Sequence, residues 1–398
     1  MAGRPRAATG EGPRRQTIML ALREVLDQTA FARHTSRLGT EPGRGRHMTD
    51  PVVGIIANPV SARDIRRVIA NAASLQITDR ANIVLRVLAC LKACGVRRVV
   101  MMPEAGGIRG HVKRGLDRSR NRGEAEFPDV AFLEMPVTGT AEDSRRAAAA
   151  MRAMGAAAIV VLGGDGTHRA VAGACGEVPI AGISTGTNNA FPEHREPTVT
   201  GLAVGLSVTG RIPAAVAFAP NKRFSVSVNE GAVEEIALVD IAIVTERYVG
   251  ARALWRTETF RELLVTFADP EVIGLSAIAG LLEPVSRREP GGLAVSLAPA
   301  EEAPLVLQAP IAPGYLRDIG ILGWRRLPAG ALHVPGLTAG SIALDGEREL
   351  AFSERDRVAI RLEEKAFHTV NVGACLHYAA QNGLMHSVRG EALRRTAS

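Results

Sequence analysis

The sequence predicts an α/β chain: an N-terminal domain with a parallel sheet and helices on both faces, then a mostly antiparallel β second domain. Three observations carry this. From residue 51 to about 210, short apolar runs alternate with segments of helical period, as β-α-β units require. Beyond about 211, apolar and polar residues alternate one by one, broken at Asn-Glu-Gly, Pro-Gly-Gly and Asp-Gly turns. The composition is 46% hydrophobic but only 4% aromatic, and small residues let helices lie close on a sheet. A chain of 398 residues suffices for two cores. The boundaries read as a basic extension over 1–49, an α/β domain over 50–210, a β-rich domain over 211–370, and a C-terminal segment over 371–398 that is free to return to the first domain.

The elements follow in order. VVGIIAN (52–58) reads as a buried strand and ARDIRRVIANAA (62–73) as a helix. Residues 78–95 form a helix with Thr78 as N-cap and Gly95 as C′, because Ile83, Val84, Val87, Leu88 and Leu91 share one face. Strands are expected at 97–103, 130–136, 156–162 and 178–184. Residues 104–127, polar and rich in Arg and Gly, read as an exposed loop. Residues 140–155 read as a helix capped by Thr140, with Asp143 three residues on as in a capping box. In the second domain the period-two segments are 223–244, 293–299, 303–310, 340–352 and 356–364, and 251–282 reads as a helix-leaning insert.

Charge is segregated. Residues 1–47 carry nine Arg against four acids, a surplus of +5, which leaves only +2 of the net +7 for the remainder. No basic face is expected on the folded body, and no nucleic-acid partner. The extension itself has three readings: an Arg/Gly/Pro arm, a targeting segment with an amphipathic piece at Thr17 to Leu38, or an over-extended start with Met48 as the first residue, the last being preferred. No apolar run approaches the roughly 20 residues of a membrane span, so no stable membrane association is expected. Cys90, Cys94, Cys175 and Cys375 form no C-x-x-C pair and read as small core residues, which fits a reducing cytoplasm.

The chemistry concentrates in VVLGGDGTHRAVAG, Val160 to Gly173. A parallel strand that ends in glycines and feeds a helix places its ligand at the strand's carboxyl edge. Gly163, Gly164 and Gly166 let backbone approach a phosphate, the helix N-terminus faces the anion, and Thr167 caps the helix or donates to the phosphate. Asp165 does not suit a bare anion cradle, because a carboxylate is repelled by phosphate unless Mg²⁺ or a substrate hydroxyl intervenes. No G-K-[ST] follows, so this is not a Walker loop. A second loop, GISTGTNNAFP, brings Thr185, Gly186, Thr187, Asn188 and Asn189; a third, GIIANPVSARDIRR, brings Asn58, Pro59 and Ser61 with Arg66 and Arg67 nearby. A fourth piece, LDGERE, brings Asp345 and Glu347 from the β domain, where a plain hairpin turn is the simpler reading. Arg252, Trp255 and His168 read as surface or packing residues.

G-G-D-G-T after a strand, G-T-N-N after the next, N-P near the start and D-G-E in the β domain together resemble the superfamily of NAD kinases, diacylglycerol kinases and sphingosine kinases over about residues 52–370. The wording of the first three segments is similar to the ATP–NAD kinase-like proteins of the acetoin catabolism protein X type. The resemblance implies an ATP- and Mg²⁺-dependent kinase with its active site between the two domains. It implies ATP at Gly163, Gly164, Gly166, Thr167 and the Asn58 loop. Asp165 would activate the acceptor hydroxyl or organise Mg²⁺, Asp345 would be a second metal ligand and Glu347 a candidate base. NAD is the favoured acceptor, which would make NADP the product. The chain departs from NAD kinases in lacking the T-P-T-G-S-T-A-Y stretch, and from lipid kinases in having G-T-N-N for G-T-G-N-D. Asn229-Glu230, which could match the adenosine-holding Asn-Glu pair, reads better as a hairpin turn. A lipid or small-diol kinase, and a nucleotide-sensing regulator without turnover, therefore stay open beside NAD. The expected partners are small nucleotides, with a homo-oligomer allowed.

Overall fold

The computed structural model describes residues 50–59, 75–124, 126–186, 189–246, 257–346 and 348–386. The expected helix at 62–73 and the 1–49 extension lie outside them. The strands β1 (Val52–Ala57), β2 (Arg98–Met101), β3 (Asp129–Phe132), β4 (Ala158–Gly163) and β5 (Ile180–Ser184) pair in parallel in the order β3-β2-β1-β4-β5. Both faces of β1 are covered, which is why it reads as a continuous apolar run rather than an alternating one. Val53, Ile55 and Ala57 face a core shared with α1 (Ile77–Ala93), α2 (Ile108–Asn121) and α5 (Pro197–Val208). Ile56 faces the opposite core, with α3 (Ala141–Ala153) and α4 (Asp165–Ala172).

Helix ends differ in detail from the sequence reading. α1 begins two residues earlier than Thr78 would cap it: Gln76 is the N-cap, and the Asp79 carboxylate accepts from the Gln76 N–H at 3.1 Å. Gly95 does take the left-handed conformation after the helix, at φ +95°. Thr140 caps α3 by accepting from Glu142 N–H at 3.3 Å, but Asp143 turns away to Thr138 and Gly139. The loop expected at 104–127 is largely the helix α2. Its apolar content is a thin stripe, Ile108, Val112 and Leu116, and those residues pack on the α1 core beneath an Arg-rich outer face.

After α6 (Ala214–Ala217), the chain enters a second lobe through β6 (Phe218–Val228) and β7 (Val233–Ala237), joined at Asn229 and Glu230, both with positive φ. Sheet B follows as β8 (Asp240–Val244), β9 (Phe260–Val265), β10 (Gly292–Ala298), β11 (Leu305–Ala312), β12 (Tyr315–Leu327), β14 (Gly340–Leu344) and β15 (Arg348–Phe352), all antiparallel. The short β13 (Leu332–His333) and the 13-residue β16 (Val358–Val370) belong to the first sheet. The insert expected to lean helical instead supplies β9, a central strand of sheet B, and then α7 (Ser276–Leu282). Burial of Phe260, Leu263, Leu264 and Val265 between β8 and β10 outweighs local helix preference.

One continuous sheet links the lobes. β16 pairs along β6, bulges between Glu363 and Phe367, and reaches β5 in parallel at Thr369 opposite Ile180. In the second lobe the inner faces of the two sheets meet through Phe224, Val226, Ile241, Ile342, Ile360 and Leu362. After β16, α8 (Val372–Gln381) places Cys375 and Ala379 in the α1–α5 core. All four cysteines are buried and unpaired, and burial pushes the Cys175 thiol up to about 11, so packing is their role. Among the described residues no helix is long and apolar enough to cross a membrane.

α5 sits close on α1 because two of its contact positions are glycine. A Cβ on Gly201 would lie 2.9 Å from Cys90 Cβ and 3.1 Å from Val87 Cα. Backbone cannot move aside as a side chain can, so Gly201→Val is expected to lower unfolding free energy by about 1–3 kcal/mol. Urea denaturation measures it, and an unchanged midpoint would show that α5 has room to shift.

Candidate functional site

The G-G-D-G-T turn lies where the fold places it: β4 ends at Gly163, Gly164 is extended as the N-cap, and Asp165, Gly166 and Thr167 form the first turn of α4. The glycines stand in close contacts. A Cβ on Gly163 would collide with the Thr167 side chain, one on Gly164 would lie 2.8 Å from Asn189 Oδ1, and one on Gly186 2.5 Å from the same atom. Asn189 in turn donates through Nδ2 to Ser184 Oγ at 2.8 Å. The loop after β5 is therefore seated directly against the turn after β4.

The residue that ties these loops together is Arg80, on α1. It is 0% exposed, yet it stands in the apolar stripe of that helix with Ile77, Ala81 and Val84. Its Nη1 donates to the Asn58 carbonyl at 3.0 Å and to Thr185 Oγ1 at 3.1 Å, and Nη2 donates to the Thr185 carbonyl at 3.3 Å. Asn58 Nδ2 then donates to Thr167 Oγ1 at 3.2 Å. β1 and β5 flank β4 in the sheet, so one guanidinium fixes the strand ends on either side of the glycine turn.

Asp165 does structural work whatever else it does. Its two carboxylate oxygens accept from the N–H groups of Ala190 at 3.0 Å and Phe191 at 2.9 Å. The carbonyls of the same two residues accept from Arg287, Phe191 at 2.7 Å and Ala190 through the other nitrogen. The 190–191 peptides are thus clamped between an acid of the first lobe and a base of the second. The Arg287 guanidinium also lies over the Phe267 ring, 4.0 Å from its centre. Lys222 on β6 fixes the loop that carries Arg287, donating to the carbonyls of Ser286, Glu289 and Gly291 at 3.3, 2.6 and 2.6 Å.

The rest of α4 also reaches the second lobe. Arg169 Nη1 donates to the Leu344 carbonyl at 2.7 Å and lies 3.8 Å from Asp345 Oδ2. Asp345, expected as a metal ligand, is instead a turn residue at φ +50°. Its carboxylate accepts from Leu238, Val239 and Asp240 N–H groups at 2.8–3.3 Å and is sealed from solvent. Burial pushes its carboxyl above the ordinary range, against the pull of Arg169 and those N–H groups. That sealing leaves no open face for a cation. Among the described residues no group of three or more His, Cys, Asp or Glu could hold a metal.

Of the residues singled out in the sequence, Asn58, Gly163, Gly164, Asp165, Gly166, Thr167, Thr185, Gly186 and Asn189 converge at the ends of β1, β4 and β5, and Pro59 lies against Gly106. Ser61, Arg66, Arg67, Thr187, Asn188, Arg252, Trp255 and Glu347 lie outside the described residues. Asn229 and Glu230 bond to Asp356 and Arg357 at the β6–β7 turn, as a hairpin requires. Three residues were missed. Arg80 carried a signal, a charge in an apolar stripe. Arg169 and Arg287 carried none, because their partners are distant backbone carbonyls.

Beside the turn a cleft of about 980 Å³ opens between the lobes. Asn189 and Ala190 line it from the first lobe, and Phe267, Asp269, Arg287 and Arg288 from the second.

His168 yields a pH prediction. Its ring is 0% exposed, its Nδ1–H donates to the Gly164 carbonyl at 2.9 Å, and it packs against Phe191. Burial lowers its pKa from 6.5 to about 4. Between those values the unfolded chain takes up a proton that the folded chain refuses, so stability falls as pH drops through this window. Between pH 7 and pH 5 the loss is about 2 kcal/mol. Urea unfolding of His168→Leu at both pH values should lack this component; an equal pH response would put the imidazole in contact with water.

Residues 53–211 match the model of the ATP-NAD kinase N-terminal domain, and residues 222–365 that of the acetoin catabolism protein X C-terminal domain. Acetoin catabolism protein X of Cupriavidus necator is 56% identical over 341 residues, covering 85% of this chain and 95% of that protein. A crystal structure of a candidate diacylglycerol kinase from Bacillus anthracis superposes with TM-score 0.43 at 12% identity, over 81% of this chain and 97% of that one. The chain belongs to the acetoin catabolism protein X family, with the ATP-NAD kinase fold in its N-terminal domain.

Proposed function

We propose that the protein is a kinase that moves a phosphoryl group from ATP to a hydroxyl of a small acceptor bound between the lobes, NAD being the acceptor to test first. The observation that carries this is the adjacency of the G-G-D-G-T turn and the 980 Å³ cleft, which share the Asn189–Ala190 segment. Crevices at the carboxyl ends of parallel strands are where such folds bind ligands, and the volume suits a nucleotide-sized molecule. The first turn of α4 offers backbone N–H groups and a helix N-terminus to the donor's phosphates. Thr167, Thr185 and Asn58 surround them with polar atoms. The match to the ATP-NAD kinase domain supports NAD as the acceptor.

Asp165 can serve this chemistry without leaving its clamp. The Ala190 and Phe191 N–H groups each bind one of its two oxygens, which orients the carboxylate and keeps its negative charge stabilised. A carboxylate so oriented is the group that would take the proton of the attacking hydroxyl. A single carboxylate also fits Mg²⁺ held mainly by substrate phosphates and water, and the ion would neutralise charge developing on the transferred group. A second reading, nucleotide binding without turnover, is favoured by the structural engagement of both Asp165 and Asp345.

The test is NADP formation from ATP, Mg²⁺ and NAD, read through glucose-6-phosphate dehydrogenase, alongside diacylglycerol and small diols. Asp165→Asn should lower turnover by about 10²–10⁴-fold if the carboxylate acts on the hydroxyl. It also loses one clamp bond, because an amide has one oxygen. Arg287→Gln loosens the same clamp and spares the carboxylate, so it should cost less than about tenfold. Equal losses in the two variants would reduce Asp165 to a structural role, and no phosphorylated product from any acceptor would favour the second reading.

A further inference from the structure

A second cavity, of about 100 Å³, adjoins the large cleft, with Pro192, Glu193, Arg287 and Arg288 forming their shared wall. The two differ in charge. The large cleft is lined by four acids, Glu193, Asp269, Glu271 and Glu289, against Arg287 and Arg288. The small cavity is lined by three arginines, Arg195, Arg287 and Arg288, and one acid, Glu193. Glu193 is already paired with Arg195, and Arg287 holds the Ala190 and Phe191 carbonyls. Among the described residues no side-chain hydrogen bond or ion pair engages the Arg288 guanidinium. Asn221 and Asn371 also line the small cavity, the first donating to the Ala219 carbonyl and Thr369 Oγ1, the second accepting from Ala374 N–H.

We propose that this small cavity is an anion subsite that receives a phosphate or carboxylate group, with Arg288 and Arg195 as its contacts. Guanidinium forks match such oxyanions in geometry and charge, and convergence of three around a small concavity focuses positive potential there. The volume is too small for a nucleotide, and Arg287 and Arg288 line both it and the acceptor cleft. An acceptor that lies along that shared edge would place an anionic group here while its hydroxyl remains in the large cleft, an assignment that rests on the kinase reading. A separate small oxyanion would meet the same contacts.

The experiment titrates inorganic phosphate into the full chain by calorimetry, with and without ATP. Wild type, Arg288→Ala, Arg288→Gln and the double variant Arg195→Ala/Arg288→Ala are compared. Loss of one charged hydrogen-bonding partner should weaken phosphate by about tenfold or more, and the double variant should lose it. In the two Arg288 single variants melting temperature and ATP affinity should be unchanged, since Arg288 has no structural partner among the described residues; the double variant also breaks the Arg195–Glu193 pair, so for it ATP affinity alone is the control. If phosphate raises the acceptor's KM, the acceptor carries the anion; if it binds without touching KM, the site takes an independent oxyanion. Wild type that binds no phosphate, or variants that bind it equally, would overturn the subsite. A chain that binds phosphate through these arginines yet turns nothing over contradicts the kinase reading alone.

Discussion

A guanidinium enclosed in the first lobe sets the geometry at the strand ends. Arg80 projects from a helix whose remaining inward side chains are aliphatic apart from Cys90, and it must satisfy its donors there because a buried charge without partners costs several kcal/mol. The acceptors it finds belong to the ends of β1 and β5. Those loops therefore cannot move independently of each other or of α1. The glycine turn of β4 lies between them, and the Asn58–Thr167 bond passes the constraint to α4. Positive charge fixed beneath a turn is also a favourable base for an anionic ligand.

The second constraint is that α4 belongs to both lobes. Within five residues it presents Asp165 to the 190–191 peptides, Thr167 to Asn58, His168 to Phe191 and Arg169 to Leu344 and Asp345. A helix of eight residues is too short to be stable alone, and these contacts define its position. The continuous β6–β16 ladder and the Arg287 clamp complete the junction. The cleft consequently has one wall from each lobe, and the motif that would bind the donor is joined by hydrogen bonds to the wall that would bind the acceptor.

The parallel strands were legible because burial on both faces writes itself as unbroken apolar runs, and the glycine turn because three glycines in four residues interrupt such a run at a strand end. α2 was hidden: a three-residue apolar stripe among Arg and Gly is a weak periodic signal, and only packing on α1 makes it a helix. β9 was hidden because its helix-compatible sequence is overruled by pairing on both sides. The convergence of the glycines, Asp165, Thr167 and Asn189 was legible because each stands at or just after the end of an expected strand. Asp345 sits in the hairpin turn its residues suggested, but its partners, three backbone N–H groups more than a hundred residues away and Arg169, depend on the fold and were not legible. Arg287 was invisible for the same reason.

The central claim is that Arg80 organises all three strand ends together. Amide hydrogen exchange of Arg80→Met tests it directly, since methionine keeps a buried apolar stem while removing every donor. The account predicts faster exchange at once in Asn58, in 163–168, in 185–186 and in 189–191, with sheet B unchanged. Faster exchange confined to α1, or none at the β4 and β5 ends, would contradict it.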